Sequence, residues 1–374
     1  PEICDRGGDN PRKGVVIFNS FLTRGVKMIT RKITVFAIAV LLIGVLAAGV
    51  VFGQDDLCVD TTKYAKEPPY TIGYDTYWLG NAWSVQFDAE FKRAAELYSG
   101  LIDEVIYTSS DGSTETQISN IEDLISRGVD AIIVTPNSPT GFEPVLRRAE
   151  EAGIPVIMNS SIVERGPYTS FLSVDDVDFG RKGAEWLVEK LDGEGKVLAL
   201  SGKAGIAVSE DRWQGAKEVF DEHQGIEILA HEYANWSRPK AKQVVASLLP
   251  AHPQIDAVWS GGGSMTAGAI EAFLEADKAL VPMTGEDQNG FLKLWYEHRD
   301  EMDSIALSKP TWLSAESLKV AVETLQGIPV PRKKFYSVPT ITDENLEEFV
   351  RPELPDSFWA RSRLSREKIE ELFD

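Results

Sequence analysis

Indoles, amides and carboxylates recur in this chain just after short apolar runs, and together they form a coherent chemical set. The stretch DTYWLGNAW (75–83) follows the run TIGY and carries Tyr77, Trp78, Asn81 and Trp83. Later runs are followed by Thr135 and Asn137, by Asn159, Ser160 and Ser161, and by Glu210 and Arg212. Further on come Asn235 and Trp236, the glycines around Gly262, Glu286 with Asp287, and Ser308 with Lys309. Amides and carboxylates exchange paired hydrogen bonds with vicinal hydroxyls, and flat rings stack on the C–H faces of a sugar ring. The set suits a small ligand rich in hydroxyls, with Trp78, Trp83 and Trp236 as stacking platforms and Asn81 as a polar clamp. Each residue also has a purely structural alternative. An indole after a strand also packs one half of a protein on the other. Arg212 also pairs with Glu210 or Asp211, Asp287 also caps a helix beginning near Asn289, and Asn137 and Asn159 also serve turns.

Signals of catalysis are missing. The four histidines (His223, His231, His252 and His298) show neither HExxH nor any other paired spacing, and no GxSxG elbow occurs. The triple glycine at 261–263 and SGKAG at 201–205 lack the Lys-Ser/Thr spacing of a phosphate loop. Cysteine is confined to Cys4 and Cys58, too few to build a metal cluster with scattered histidines. The expectation is a binding protein rather than an enzyme, using no cofactor and no metal.

Positioning these residues requires strands that end where the residues begin. From Tyr70 onward the runs YTIGYDT, EVIYTSS, VDAIIVTP, IPVIMNSS, YTSFLSV, GKVLALSG, IEILAHEY, IDAVWSGG, LVPMTGED and SIALSKP are short, apolar on both faces and bounded by Gly, Pro, Asn or Asp. That is the pattern of buried parallel strands. Amphipathic runs lie between them. TETQISNIEDLISRG puts Ile118, Ile121, Leu124 and Ile125 on one face, with Gly128 as its C-terminal cap. Strict alternation of strand and helix predicts parallel sheets covered on both sides. VDAIIVTPNSPTG (129–141) is echoed by IDAVWSGGGSMTAG (255–268), which suggests two similar α/β lobes. Ligands of open α/β sheets bind beyond the carboxyl ends of the strands, so two facing lobes would share one cleft.

Composition bounds the partners. The 374 residues carry a net charge of −20 and a pI near 4.7, which argues against a nucleic-acid partner. Residues 1–53 differ: seven Lys/Arg stand against three acids, so the remainder carries −24. Within them, MITRKITVFAIAVLLIGVLAAGVVFGQDD has a start at Met28, a basic Arg31-Lys32 pair and an apolar run over 33–52. Val51 and Gly53 fit a cleavage site before Gln54. The run is also long enough to span a bilayer, so a retained anchor is the alternative to a cleaved export signal. Residues 1–27 read as an over-extended start. With the leader removed, Cys58 is expected to stand alone without a disulfide.

The order of these pieces resembles a known family. DGSTETQISNIEDLISRGVDAIIVTPNSPTGFEPVLRRAEEAGIPVIMNSS is similar to the first-lobe core of ribose-type (type I) periplasmic sugar-binding proteins of ABC importers. SVDDVDFGRKGAEWL, GKVLALSG…SEDRWQGAKEVF, AHPQIDAVW…MTAGAIEAF and MTGEDQNGF continue the resemblance, which spans roughly 70–327. It implies two Rossmann-like lobes with parallel sheets joined by a three-strand hinge, crossing near Ser173, near Ser308 and after Pro331. The implied division is 68–172 plus 308–331 for lobe 1, and 173–307 plus 336–374 for lobe 2 and a C-terminal extension. The family's aromatic contacts fall at Trp83 and Trp236, and its late aspartate at Asp287. Its first-lobe asparagine falls at Thr135 beside Asn137. Its Asp-Arg pair falls at Ser160-Ser161 beside Asn159, and its second-lobe arginine at Glu210 with Arg212 two residues on. Its next asparagine falls at Gly262-Gly263, and its late glutamine at Ser308. The scaffold matches while several ligand-gripping residues differ, so a monosaccharide or polyol other than ribose is expected.

The resemblance implies an exported monomeric receptor, in the periplasm or on the outer face of the cytoplasmic membrane, that delivers its ligand to an ABC transporter permease. A membrane-tethered sugar-sensing input domain for a chemoreceptor or kinase is the alternative. In the long tail, LPDSFW is expected to fold back on a lobe or the hinge, and SREKIEELF to form a helix capped by Ser365.

Overall fold

The computed structural model describes residues 58–373, and the expected export segment lies outside them. A short strand, β1 (Cys58–Val59), pairs antiparallel with β12 (Val330–Pro331). Cys58 is disulfide-bonded in the full chain, and no cysteine among the described residues is free; the expected lone thiol concerned the chain with its leader removed. Among those residues no helix is long and apolar enough to cross a membrane.

The first sheet contains β2 (Tyr70–Thr76), β3 (Ile102–Ser109), β4 (Ala131–Val134), β5 (Val156–Asn159), β6 (Ser170–Val174) and the late strand β13 (Lys333–Tyr336). Its spatial order is 13-6-5-4-2-3, and all its pairings are parallel. The second sheet contains β7 (Glu194–Ser201), β8 (Gly225–Tyr233), β9 (Ala257–Ser260), β10 (Met283–Glu286), β11 (Ser304–Leu307) and β14 (Thr340–Ile341), in the order 14-11-10-9-7-8. Only its last pairing, β11 with β14, is antiparallel. Counted within each lobe, both orders read 6-5-4-3-1-2, so the lobes repeat one topology. The echoed sequences are β4 and β9, the third strand of each lobe.

The helices follow from the same patterning. In lobe 1 they are α1 (Ala82–Leu97), α2 (Thr114–Ser126) and α3 (Glu143–Glu151). Lobe 2 has α4 (Asp176–Lys190), α5 (Ala207–Glu222), α6 (Arg238–Leu248), α7 (Gly263–Glu275) and α8 (Asn289–Glu297). Side chains of Ser113, Asp175 and Ser237 accept N–H groups at the starts of α2, α4 and α6, satisfying donors that have no partner within the helix. Gly128, just past α2, adopts φ +69°, the left-handed conformation that ends a helix cheaply only at glycine. The central strands are buried on both faces, as β4 with its sequence AIIV illustrates. Helices therefore cover each sheet on two sides, and each lobe has two apolar layers.

The chain passes between the lobes after β6 and again between β11 and α9 (Leu313–Leu325), which packs on the first sheet. A third passage lies between β13 and β14, and the tail makes a fourth. Leu346, in α10 (Leu346–Phe349), and Val350 join the lobe 2 core. Leu354, Phe358, Leu364 and Ile369 instead gather with Ala89 of α1 in lobe 1. The tail is thus shared between the lobes instead of belonging to lobe 2 alone. Its final helix, α11 (Arg366–Phe373), has the Ser365 hydroxyl accepting the Lys368 N–H at 3.3 Å.

Candidate functional site

In each lobe the strand order reverses between the first and third strands, β2/β4 and β7/β9, and such a switch point leaves a crevice beyond the strand ends. The two crevices face a single cavity whose empty space, about 930 Å³, includes its opening to solvent. Lobe 1 supplies Tyr77, Asn81, Trp83, Asn137, Ser160 and Ile162, and lobe 2 supplies Ile206, Val208, Arg212, Trp236, Gly262 and Glu286. Lys309 of the hinge and Trp359 of the tail complete the wall.

The aromatic walls are held firmly. Trp83 stacks on Phe87 at 4.6 Å and donates its Nε1–H to the Lys309 carbonyl at 2.9 Å, tying α1 to the hinge. Trp236 lies in the turn after β8, where Asn235 and Trp236 both adopt left-handed backbone (φ +55° and +57°). Asparagine tolerates this conformation, but for tryptophan it is costly and marks a position fixed by its surroundings. Two glycines lie against the Trp236 indole: a Cβ on Gly202 would come within 1.9 Å of the ring, and one on Gly262 within 2.9 Å. Asn81 caps α1 by accepting the Ser84 N–H at 2.8 Å. Asn137 accepts from the Thr114 hydroxyl at 3.1 Å, but its buried Nδ2 has no hydrogen-bond partner.

The polar floor is a quartet of buried charges. The Arg212 Nε–H donates to Asp176 at 2.9 Å, and its two terminal nitrogens reach Glu286 at 2.9 and 3.2 Å. A further Arg212 bond reaches the Gly261 carbonyl at 2.6 Å. The Lys309 ammonium donates to Asp176 at 2.6 Å and to the Ser160 carbonyl at 2.9 Å, linking both lobes. Arg212 and Lys309 are each 2% exposed and Glu286 4%, so these charges survive only because each is paired. Burial pushes the Glu286 carboxyl up and the Lys309 ammonium down; Arg212 and Asp176 respectively oppose those shifts. Two cations and two carboxylates cancel, so the wall offers polarity without net charge. Among the described residues no cluster of His, Cys, Asp or Glu is placed to hold a metal ion.

Of the expected site residues, Asn81, Trp83, Asn137, Ser160, Arg212, Trp236 and Gly262 meet at this cavity. Six others lie outside its wall. Trp78 folds over its own loop, where a Cβ on Gly80 would collide with its ring. The Thr135 hydroxyl donates to Asn159, whose amide donates to Ser317 at 2.8 Å, so both are spent inside lobe 1. Glu210 accepts from the Tyr233 hydroxyl at 3.1 Å and the Gly205 N–H at 2.8 Å. Asp287 is covered by the tail: its carboxylate accepts the Arg361 N–H at 3.2 Å and its carbonyl the Ala360 N–H at 2.9 Å. Burial pushes the Asp287 carboxyl up to about 7. Ser308 is buried in the hinge, its N–H donated to the Pro339 carbonyl at 2.9 Å.

Glu286 and Lys309 stand at strand ends beside the residues expected in their place, and Tyr77 precedes two expected ones. Trp359 was not anticipated. The available signal was the isolated apolar SFW within a charged tail.

Comparison with known proteins agrees with this architecture. The model of the periplasmic binding protein domain matches residues 72–329. The chain is 28% identical over 247 residues to the xylitol-binding protein of Mycolicibacterium smegmatis, covering 65% of this chain and 70% of that one. It is 28% identical over 220 residues to the ribose import binding protein of Bacillus subtilis, covering 59% and 70%. Among solved structures, an ABC transporter solute-binding protein of Bacillus halodurans with bound myo-inositol superposes with a TM-score of 0.68 at 26% identity. That match covers 76% of this chain and 98% of the other. One from Actinobacillus succinogenes with bound D-allose gives 0.66 at 26% identity, covering 75% and 100%. With the family model matched across both lobes, this chain is a member of the periplasmic binding protein domain family.

Proposed function

We propose that the protein is a non-enzymatic extracytoplasmic receptor that captures an uncharged monosaccharide or polyol between its lobes and delivers it to the permease of an ABC transporter. The observation carrying this reading is the inter-lobe cavity itself. It has indoles from both lobes and a polar floor whose charges cancel. A neutral ligand meets no uncompensated charge there, while its hydroxyls find the Glu286 carboxylate and the amides of Asn81 and Asn137 and its C–H faces find flat rings. The relatives that bind xylitol and ribose, and the neighbours holding myo-inositol and D-allose, support the same class. Export to the periplasm or to the outer face of the cytoplasmic membrane, and action as a monomer, belong to this proposal.

The test is unfolding of the protein against pentoses, hexoses, deoxy sugars, polyols, amino acids and nucleosides. A ligand at about 100 times its Kd stabilises by about 2.7 kcal/mol, which for a chain of this length is about 4 °C. A shift with one sugar or polyol class supports the reading. Shifts with amino acids or nucleosides alone overturn it.

A further inference from the structure

Trp359 is the odd member of the cavity wall, because it comes from the tail and not from a strand end. Its backbone is fixed from both lobes. In lobe 1 the Gln86 amide accepts the Trp359 N–H at 3.0 Å and donates to the Trp359 carbonyl at 3.1 Å. In lobe 2 the flanking Phe358 carbonyl accepts the Asn289 N–H at 2.7 Å, and Asp287 takes the Ala360 and Arg361 N–H groups at 2.9 and 3.2 Å. Two consequences follow for the cavity. The tail withdraws Asp287, a carboxylate at a strand end, and sets an indole in the wall instead. That indole is 6% exposed, and its Nε1–H is buried with no hydrogen-bond partner. A buried unpaired N–H is a cost that a phenyl ring at the same place avoids. Trp359 thus lines the wall with a small exposed part and with its polar ring atom covered.

We infer that Trp359 is a specificity-determining contact of the binding site, supplied by the C-terminal tail, which stacks on a C–H face of the bound sugar or cyclic polyol. A hydroxyl pressed against this ring would lose its water without gaining a partner, so ligands are sorted by whether they present carbon there. The inference rests on the proposed sugar or polyol function.

The test is titration calorimetry of the full chain with D-ribose, D-allose, L-arabinose, xylitol and myo-inositol, for the wild type, Trp359→Phe and Trp359→Ala. Phe keeps an aromatic face and leaves the Gln86 backbone pair intact. The expected result, for the probes that bind, is affinity within about threefold of wild type for Trp359→Phe and a loss of tenfold or more for Trp359→Ala. The order of preference among the probes also changes in the alanine variant, which a purely structural role would not produce. Trp359→Ala binding within twofold of wild type, or Trp359→Phe failing as badly as alanine, overturns the inference and leaves the proposed function standing. A folded wild type that binds none of the five and none of the wider sugar and polyol panel overturns both.

Discussion

Replacing Arg212 by methionine tests the logic of the buried quartet. Methionine fills a similar length without charge. Asp176 would keep its bond to Lys309, but both of Glu286's bonds to Arg212 would be lost. An unpaired carboxylate at 4% exposure escapes by taking up a proton, and that sets a ceiling on its cost. Relative to an ordinary glutamate value of 4.5, holding it neutral at pH 7 costs about 3 kcal/mol, since each unit is worth about 1.4 kcal/mol. At pH 5 the same step costs less than about 1 kcal/mol. The sign follows from linkage: a carboxyl raised in the folded state keeps full stability below its unfolded pKa and loses it as pH rises. Arg212→Met should therefore unfold roughly 5 °C below wild type at pH 7 and come much closer to it at pH 5. The double variant Arg212→Met with Glu286→Leu should recover most of the loss, because no charge is left to desolvate. Thermal unfolding between pH 5 and 8 reads this directly. A deficit that stays constant over that range would refute the assignment of Arg212 and Glu286 as a charged pair.

Two further outcomes are expected. Asp287, with its carboxyl raised to about 7 by burial, weakens the fold as pH climbs from about 4 to 7. Asp287→Asn should flatten that slope by up to about 4 kcal/mol, measured by urea unfolding at several pH values, while changing sugar affinity less than twofold because the side chain lies outside the cavity wall. Gly202→Ala should displace the Trp236 indole, since the new methyl would sit 1.9 Å from it. Unfolding should show a cost of about 1–3 kcal/mol, and calorimetry a weakened affinity for whichever sugar or polyol the wild type binds.

Much of the scaffold was legible because it rests on local patterns. Runs such as AIIV and VIMN, apolar on both faces, form central parallel strands, and the echo between β4 and β9 marks equivalent strands of two like lobes. The short pairings β1–β12 and β11–β14 were not legible, since two residues carry no periodicity. At the site the sequence found the right neighbourhoods but not always the right residue. Glu210 and Arg212 lie two apart on one helix, nearly opposite in direction, so only one of them reaches the cavity. Glu286 and Asp287 are adjacent at a strand end, where successive side chains face opposite ways. Trp359 lies 50 residues beyond Lys309, and nothing local connects the two; only tertiary folding brings that part of the tail to the cleft.

The tail's fourth passage between the lobes changes what affinity measures in this protein. Parting the tail from one lobe would be one route to a wider cleft. On the lobe 1 side that means the two Gln86 bonds to Trp359 and the Glu90 carboxylate's bonds to the Ser362 hydroxyl and Arg363 N–H, both 2.7 Å. At about 1 kcal/mol net for each, four such bonds weight the ligand-ready arrangement by roughly a thousandfold over an otherwise identical chain without them. Because apparent affinity scales with the fraction of molecules already competent to bind, these bonds would strengthen capture beyond any contact that Trp359 itself makes with a solute. The same weighting would slow release of a bound solute, since opening carries the cost of unfastening the strap.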